Sequence, residues 1–165
     1  PQKSVMEDKP RDPKAFILDS SMLRNIFGVG GFFFVILLVM LIIFQHTDIQ
    51  SMSDLLKMNF TFGDRNPVST YELTLLFTVF VMTHMGYMFN ARGYKTGGSG
   101  WNLKGCDGFL IIAAVITVGQ VAIVQVPMLN SFFNVAQLPI IDWIIIFILG
   151  FLVTGVREVK HLIFK

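Results

Sequence analysis

Four apolar runs constrain this chain more than any other feature: Ile26 to Gln45, Leu73 to Asn90, Phe109 to Met128 and Ile140 to Val156. Each holds about the 17 to 25 predominantly apolar residues that an α-helix needs to cross roughly 30 Å of hydrocarbon. With 53% hydrophobic residues, 15% charged residues and a mean hydropathy of +0.64, the 165 residues do not make a soluble globule or a disordered chain. One cysteine, Cys106, excludes a disulfide scaffold, and the lack of a period-three glycine excludes a collagen-like chain.

The positions of the charges say more than their net value of +2, which is too small to suggest nucleic acid as a partner. Eleven of the thirteen Lys and Arg residues fall on one side of a four-span arrangement: five before the first run, three between the second and third, and three after the fourth. Only Lys57 and Arg65 lie between the first and second runs. By the positive-inside rule the basic side is cytoplasmic. The reading is an all-α membrane protein, a bundle of four transmembrane helices over residues 26–45, 71–91, 109–128 and 140–156, with both termini cytoplasmic. Residues 1–25 form a cytoplasmic segment leading into this 26–165 domain, and a short tail ends it. Cys106 then sits in a reducing compartment as a free thiol. The first run follows a segment bearing both signs of charge and is too long for a signal peptide's apolar region. Residue 1 is Pro rather than Met, so the chain is expected to be a piece of something longer.

Smaller signals refine this layout. Pro10 and Pro13 keep the leading segment extended, and Asp19, Ser20 and Ser21 are N-cap candidates for the first span. Gly28, Gly30 and Gly31 read as a notch for a neighbouring backbone. In the loop from His46 to Thr70, Met52, Leu55, Leu56 and Met58 predict one short amphipathic turn, and Asn59-Phe60-Thr61 matches a glycosylation triplet that also arises often by chance. The stretch from Lys95 to Gly100 is glycine-rich but lacks a Gly-Lys-Ser/Thr or a GxGxxG pattern, so it reads as a turn between helices. In the fourth span, Pro139, Asp142 and Trp143 suit a helix start, the helix dipole and the interfacial belt respectively. Arg157, Lys160 and His161 suit headgroups beyond its far end.

The second span is the least apolar. Thr83, Tyr87 and Asn90 share an arc of roughly 60° at about 100° per residue, with His84 about 60° beyond Tyr87, a stripe that should face other helices or a wet cavity. Gln120, in the middle of the third span, should hydrogen-bond to another helix, because an unpaired amide in hydrocarbon costs several kcal/mol as an order of magnitude. His46, His84 and His161 are too far apart to form a zinc cluster with Cys106, and neither a Gly-x-Ser-x-Gly nor a His-Glu-x-x-His motif occurs. His84 is the one ionisable residue well inside a span, which makes it a functional candidate. Spacing alone leaves open whether it titrates or hydrogen-bonds across the bundle as a neutral imidazole.

Lys9-Pro-Arg-Asp-Pro-Lys-Ala-Phe-Ile17 and Met22-Leu-Arg-Asn-Ile-Phe-Gly28 resemble the segment joining the sixth and seventh membrane helices of P-type cation-transporting ATPases. Phe80-Val-Met-Thr-His-Met-Gly-Tyr-Met-Phe-Asn-Ala-Arg92 is similar to their eighth helix, and Gly119-Gln120 and Asp142-Trp143 resemble features of the ninth and tenth. The likeness runs nearly the whole chain in order and is nearest to plasma-membrane calcium pumps and their bacterial relatives. It implies helices seven to ten of a parent that uses Mg-ATP to move Ca2+ out of the cytosol, across a plasma or bacterial inner membrane. The chain's partners would be the bilayer and the parent's remaining helices and cytoplasmic domains. The phosphorylated aspartate, the nucleotide site and the main ion-binding helices would lie upstream, leaving no catalytic, cofactor or confident metal residue here.

In the family the eighth helix supplies Glu or Gln to an ion site, and the resemblance puts His84 at that position. Imidazole matches poorly a cation that prefers oxygen ligands, so His84 is expected to border the transport pathway without ligating Ca2+. Thr83, Tyr87, Asn90 and Gln120 are the other pathway candidates, and residues 1–16 are expected to dock on the pump's cytoplasmic machinery. Two other readings remain at this stage: a free-standing proton-coupled carrier built on His84, and a membrane scaffold without transport. An upstream Asp-Lys-Thr-Gly motif would separate these from the pump.

Overall fold

A computed structural model describes residues 20–57, 61–92, 103 and 105–163, with side chains described as far as Leu152 apart from Ser21 and Arg92. Among the described residues the secondary structure is helical: α1 (Ser20–His46), α2 (Met52–Leu56), α3 (Thr70–Arg92), α4 (Asp107–Gln125), α5 (Pro127–Phe133) and α6 (Ile140–Ile163). The expected docking segment 1–16, the first two residues of the Asn59 triplet, Met58 and the glycine-rich 95–100 turn lie outside the described residues.

Helices α1, α3 and α4 are each long and apolar enough to cross a membrane. Helix α6 is apolar from Ile140 to Leu152 and continues to Ile163, so at 1.5 Å per residue it too has the reach to span. The third apolar run divides. Val126 leaves the helical conformation, Pro127 takes the first position of a new helix, and α4 ends at Gln125 rather than Met128. Proline lacks an N–H and fits a helix start better than a helix interior, which accounts for the break.

Helix α3 is the centre. It packs chiefly on α6 and also touches α1 and α4, while α2 lies on α6 and α5 on α4. Half of its most apolar stretch is buried within the chain, against 17% for α4 and 11% for α1. Lipid is as apolar as a leucine side chain, so burial alone does not drive such contacts; close packing and polar links do. Gly150 on α6 provides the closest approach, because an added Cβ would stand 3.0 Å from the Met82 carbonyl oxygen of α3. Around α3, Phe44, Leu75, Val79, Met82 and Ile146 form the core.

Trp143, suited by sequence to the interfacial belt, is buried within the protein, its ring 6.0 Å from that of Phe147 and in the same cluster as Ile49 and Met52. The loop after α1 folds back over the start of α6 and covers it. The Gly28, Gly30 and Gly31 notch meets no atom of the described residues within 4 Å, and Phe27, Phe32 and Phe34 beside it are exposed. Whatever α1 packs against on that face is not supplied by these residues.

Candidate functional site

The polar side chains of the bundle lie mostly along α3 and form three groups. The first is the stripe toward the C-terminal half of α3. Thr83 is buried and donates to the Val79 carbonyl at 2.7 Å, a bond within its own helix. Tyr87 is half-buried, and its hydroxyl accepts from the Asn25 amide at 3.0 Å, tying α1 to α3. Asn90 is buried. The His84 Nδ1–H donates to the Phe80 carbonyl at 2.8 Å, and the ring lies between Phe33 and Phe80, with centroids 4.8 and 4.2 Å away. With Nδ1 as the donor, a neutral His84 has its lone pair on Nε2. The observed bond of His84 stays within α3 and does not cross the bundle.

The second group is a threonine ladder. Thr74 donates to the Thr70 carbonyl at 2.7 Å and Thr78 to the Thr74 carbonyl at 2.8 Å. The outward lone pairs of these two hydroxyls serve other elements. Gln120 Nε2 of α4 donates to Thr78 Oγ1 at 3.1 Å, and the Ala136 N–H donates to Thr74 Oγ1 at 2.9 Å. Gln120 is therefore buried and bonded to another helix, as its position in the sequence requires.

The third group was not singled out by sequence. Glu72 and Asp142, each in the first turn of its helix, are 2% and 0% exposed. Ser69 and Glu72 make a reciprocal cap at the start of α3: the Ser69 N–H and hydroxyl donate to Glu72 Oε2 at 2.8 and 2.9 Å, and the Glu72 N–H donates to Ser69 Oγ at 3.2 Å. The other carboxylate oxygen accepts the Ile49 N–H at 3.3 Å. Asp142, in the first turn of α6, caps α2 from outside: its Oδ1 accepts the Met52 N–H at 2.8 Å and the Ser51 hydroxyl at 3.0 Å. Its Oδ2 accepts the Tyr71 hydroxyl. The Ser69-x-x-Glu72 spacing before an apolar helix was a legible signal of the first cap. The Asp142 donors lie 71 to 91 positions away in sequence, so no local pattern announces them.

Among the described residues no three His, Cys, Asp or Glu side chains come together to hold a metal ion. Between α3, α4 and α6 a cleft of about 430 Å³ is lined by Met85, Phe89, Ala114 and Phe151, with Thr117 its one hydroxyl. That lining offers no ligand set for a hard cation. Among the described residues the stripe, the ladder and the caps are distributed along the faces where helices meet.

Comparison with known families gives a match over residues 1–163 to the model described as cation transporting ATPase, C-terminus. Comparison with curated proteins gives no match.

Proposed function

The chain belongs to the cation-transporting ATPase C-terminal family, and from that premise we propose that it braces the ion-carrying helices of an ATP-driven calcium pump. As a multi-pass membrane domain of such an ATPase it is part of a larger enzyme. One observation supports the bracing role above the others: Asp142, fully buried, spends its carboxylate on three donors from the α1–α3 loop and α3. A polar group committed to holding elements together is set for rigidity rather than for ion exchange.

Calcium follows from the likeness of Lys9 to Gly28 and Phe80 to Arg92 to the plasma-membrane pumps, with Ca2+ as cargo and Mg-ATP bound elsewhere in the parent. The basic residues put both termini on the cytosolic side. His84 borders the pathway without ligating the ion, with Thr83, Tyr87, Asn90 and Gln120 as the other pathway residues; of these, Tyr87 and Gln120 also tie helices together. The test is ATP hydrolysis and 45Ca uptake by inside-out vesicles carrying the full-length pump, with Mn2+, Na+ and K+ as competitors. Stimulation by Ca2+ with unchanged Ca2+ affinity in His84→Ala is expected. Stimulation by another cation alone would remove calcium from the reading and leave the family intact. A large loss of Ca2+ affinity in His84→Ala would make His84 a ligand.

A further inference from the structure

We infer that residues 126–139, with α5 at their centre, form a foot seated at the boundary between headgroups and acyl chains, and that its partner is lipid. This inference rests on the membrane character of the chain and is independent of which ion the parent moves. The first observation is chemical. Residues 108–141 contain no ionisable side chain, whereas residues 47–69, which cross the same end of the bundle, carry Asp48, Asp54, Lys57, Asp64 and Arg65. A connection standing in water tolerates charge; one lying at the hydrocarbon edge does not.

The second observation is the surface. Met128 and Phe132 stand four residues apart on one face of α5 and are 82% and 81% exposed, and Ile140 just beyond is 80% exposed. Phe133 is exposed beside them, its ring edge-on to Phe132 at 5.0 Å. On the flanking helices, Val118 of α4 and Ile144 of α6 are exposed apolar residues as well. Depth follows from length: the nineteen residues of α4 rise about 28 Å, close to the roughly 30 Å of hydrocarbon. With α4 crossing that layer, Gln125 reaches its edge and α5 lies in the boundary region that favours aromatic and apolar side chains.

The third observation is how the backbone is satisfied. A segment that enters this layer must supply its own partners, and this one does so with neutral groups. Gln125 Nε2 donates to the Leu138 carbonyl at 2.6 Å, Gln137 Nε2 to the Gln125 carbonyl at 3.2 Å, and Ala136 N–H to Thr74 Oγ1 at 2.9 Å. Asn134, in the left-handed conformation at φ 52°, ends α5 and lets the Val135 N–H return to the Asn130 carbonyl at 3.0 Å. The turn is thus closed by two amides and a hydroxyl, with Met128, Phe132 and Phe133 left exposed while Leu138 is buried in the core.

The experiment places a nitroxide label at Phe132→Cys in the full-length protein, reconstituted in phosphatidylcholine–phosphatidylglycerol vesicles. Collision with oxygen and with a water-soluble nickel chelate is compared with Asp64→Cys in the charged loop and Val118→Cys on α4. Oxygen accessibility well above that at position 64, with nickel accessibility several-fold below it, is expected. Nickel accessibility equal to that at position 64 would overturn the inference, and so would a label immobilised and shielded from both reagents, which would mean a protein partner. Met128→Cys, on the same exposed face, gives an independent reading should the first variant misassemble.

Discussion

Two connections close the same end of this bundle with opposite chemistry. Residues 47–69 are charged and are held down by two buried carboxylates, Glu72 reaching the Ile49 N–H and Asp142 reaching Ser51 and Met52. Residues 126–139 carry no charge and are held by Gln125, Gln137 and Thr74. Both loops face the demand that backbone groups near hydrocarbon be paired. A carboxylate bonded by several donors meets it strongly, but needs a site fully enclosed by protein, since a charge that meets lipid is costly. Amides and hydroxyls meet it at lower strength and tolerate partial exposure. The difference shows which loop is a lid over the core and which rests on the membrane.

The comparison breaks most readily at Asp142. Asp142→Ala leaves the Ser51 and Tyr71 hydroxyls and the Met52 N–H without their acceptor, a loss of about 3 kcal/mol or more at one to three for each buried donor left unpaired. Thermal unfolding of the full-length protein, followed by a dye that reacts with thiols as buried Cys106 becomes exposed, should show the largest fall in midpoint here. The reciprocal exchange tests the other loop. Gln125→Glu turns the donor facing the Leu138 carbonyl into an acceptor and places a charge beside lipid, which should cost about 2 to 3 kcal/mol. Asp142→Asn should cost less, about 1 to 2 kcal/mol, since one oxygen still accepts the Met52 N–H while the amide can donate to the Tyr71 oxygen. If Asp142→Asn proved more harmful than Gln125→Glu, the assignment of charge to the enclosed loop and neutrality to the other would be wrong.

The parts of this architecture that were legible in the sequence are those carried by local signals. The spans showed in runs of apolar residues, α2 in the spacing of Met52, Leu55 and Leu56, and the need of Gln120 for a partner in its mid-span position. The end of α4 was missed because Val126 and Pro127 are both apolar, so hydropathy runs straight through a break that proline chemistry enforces. The role of Asp142 was missed for a different reason: an acidic residue at a helix start has a sufficient local explanation in the helix dipole. Its further use as a cap for α2 depends on how α6 and the loop after α1 meet in space. The burial of Trp143 was not legible for the same reason, because the cluster it joins includes Ile49 and Met52, about 90 positions earlier. His84 was legible as unusual, and its stacking between Phe33 and Phe80 shows where it lies without assigning it a proton or an ion.

The smallest effect gives the finest comparison, because it sets two threonines of one ladder against each other. Thr74 and Thr78 both donate to a carbonyl four residues back, yet Thr74 accepts a backbone N–H from Ala136 and Thr78 accepts a side-chain amide from Gln120. Valine keeps the shape at either site and removes the acceptor. In Thr78→Val the Gln120 amide can rotate to another partner, so the loss should stay at the average for such bonds in membranes, about 0.6 kcal/mol. In Thr74→Val the Ala136 N–H is fixed in the chain and cannot turn away, so the loss should be about 1 kcal/mol. It should also loosen residues 126–139 locally, raising the mobility of a label at position 132 while leaving one at position 64 unchanged. Equal losses from the two substitutions, with no change at position 132, would show that the bond of the foot to α3 is incidental.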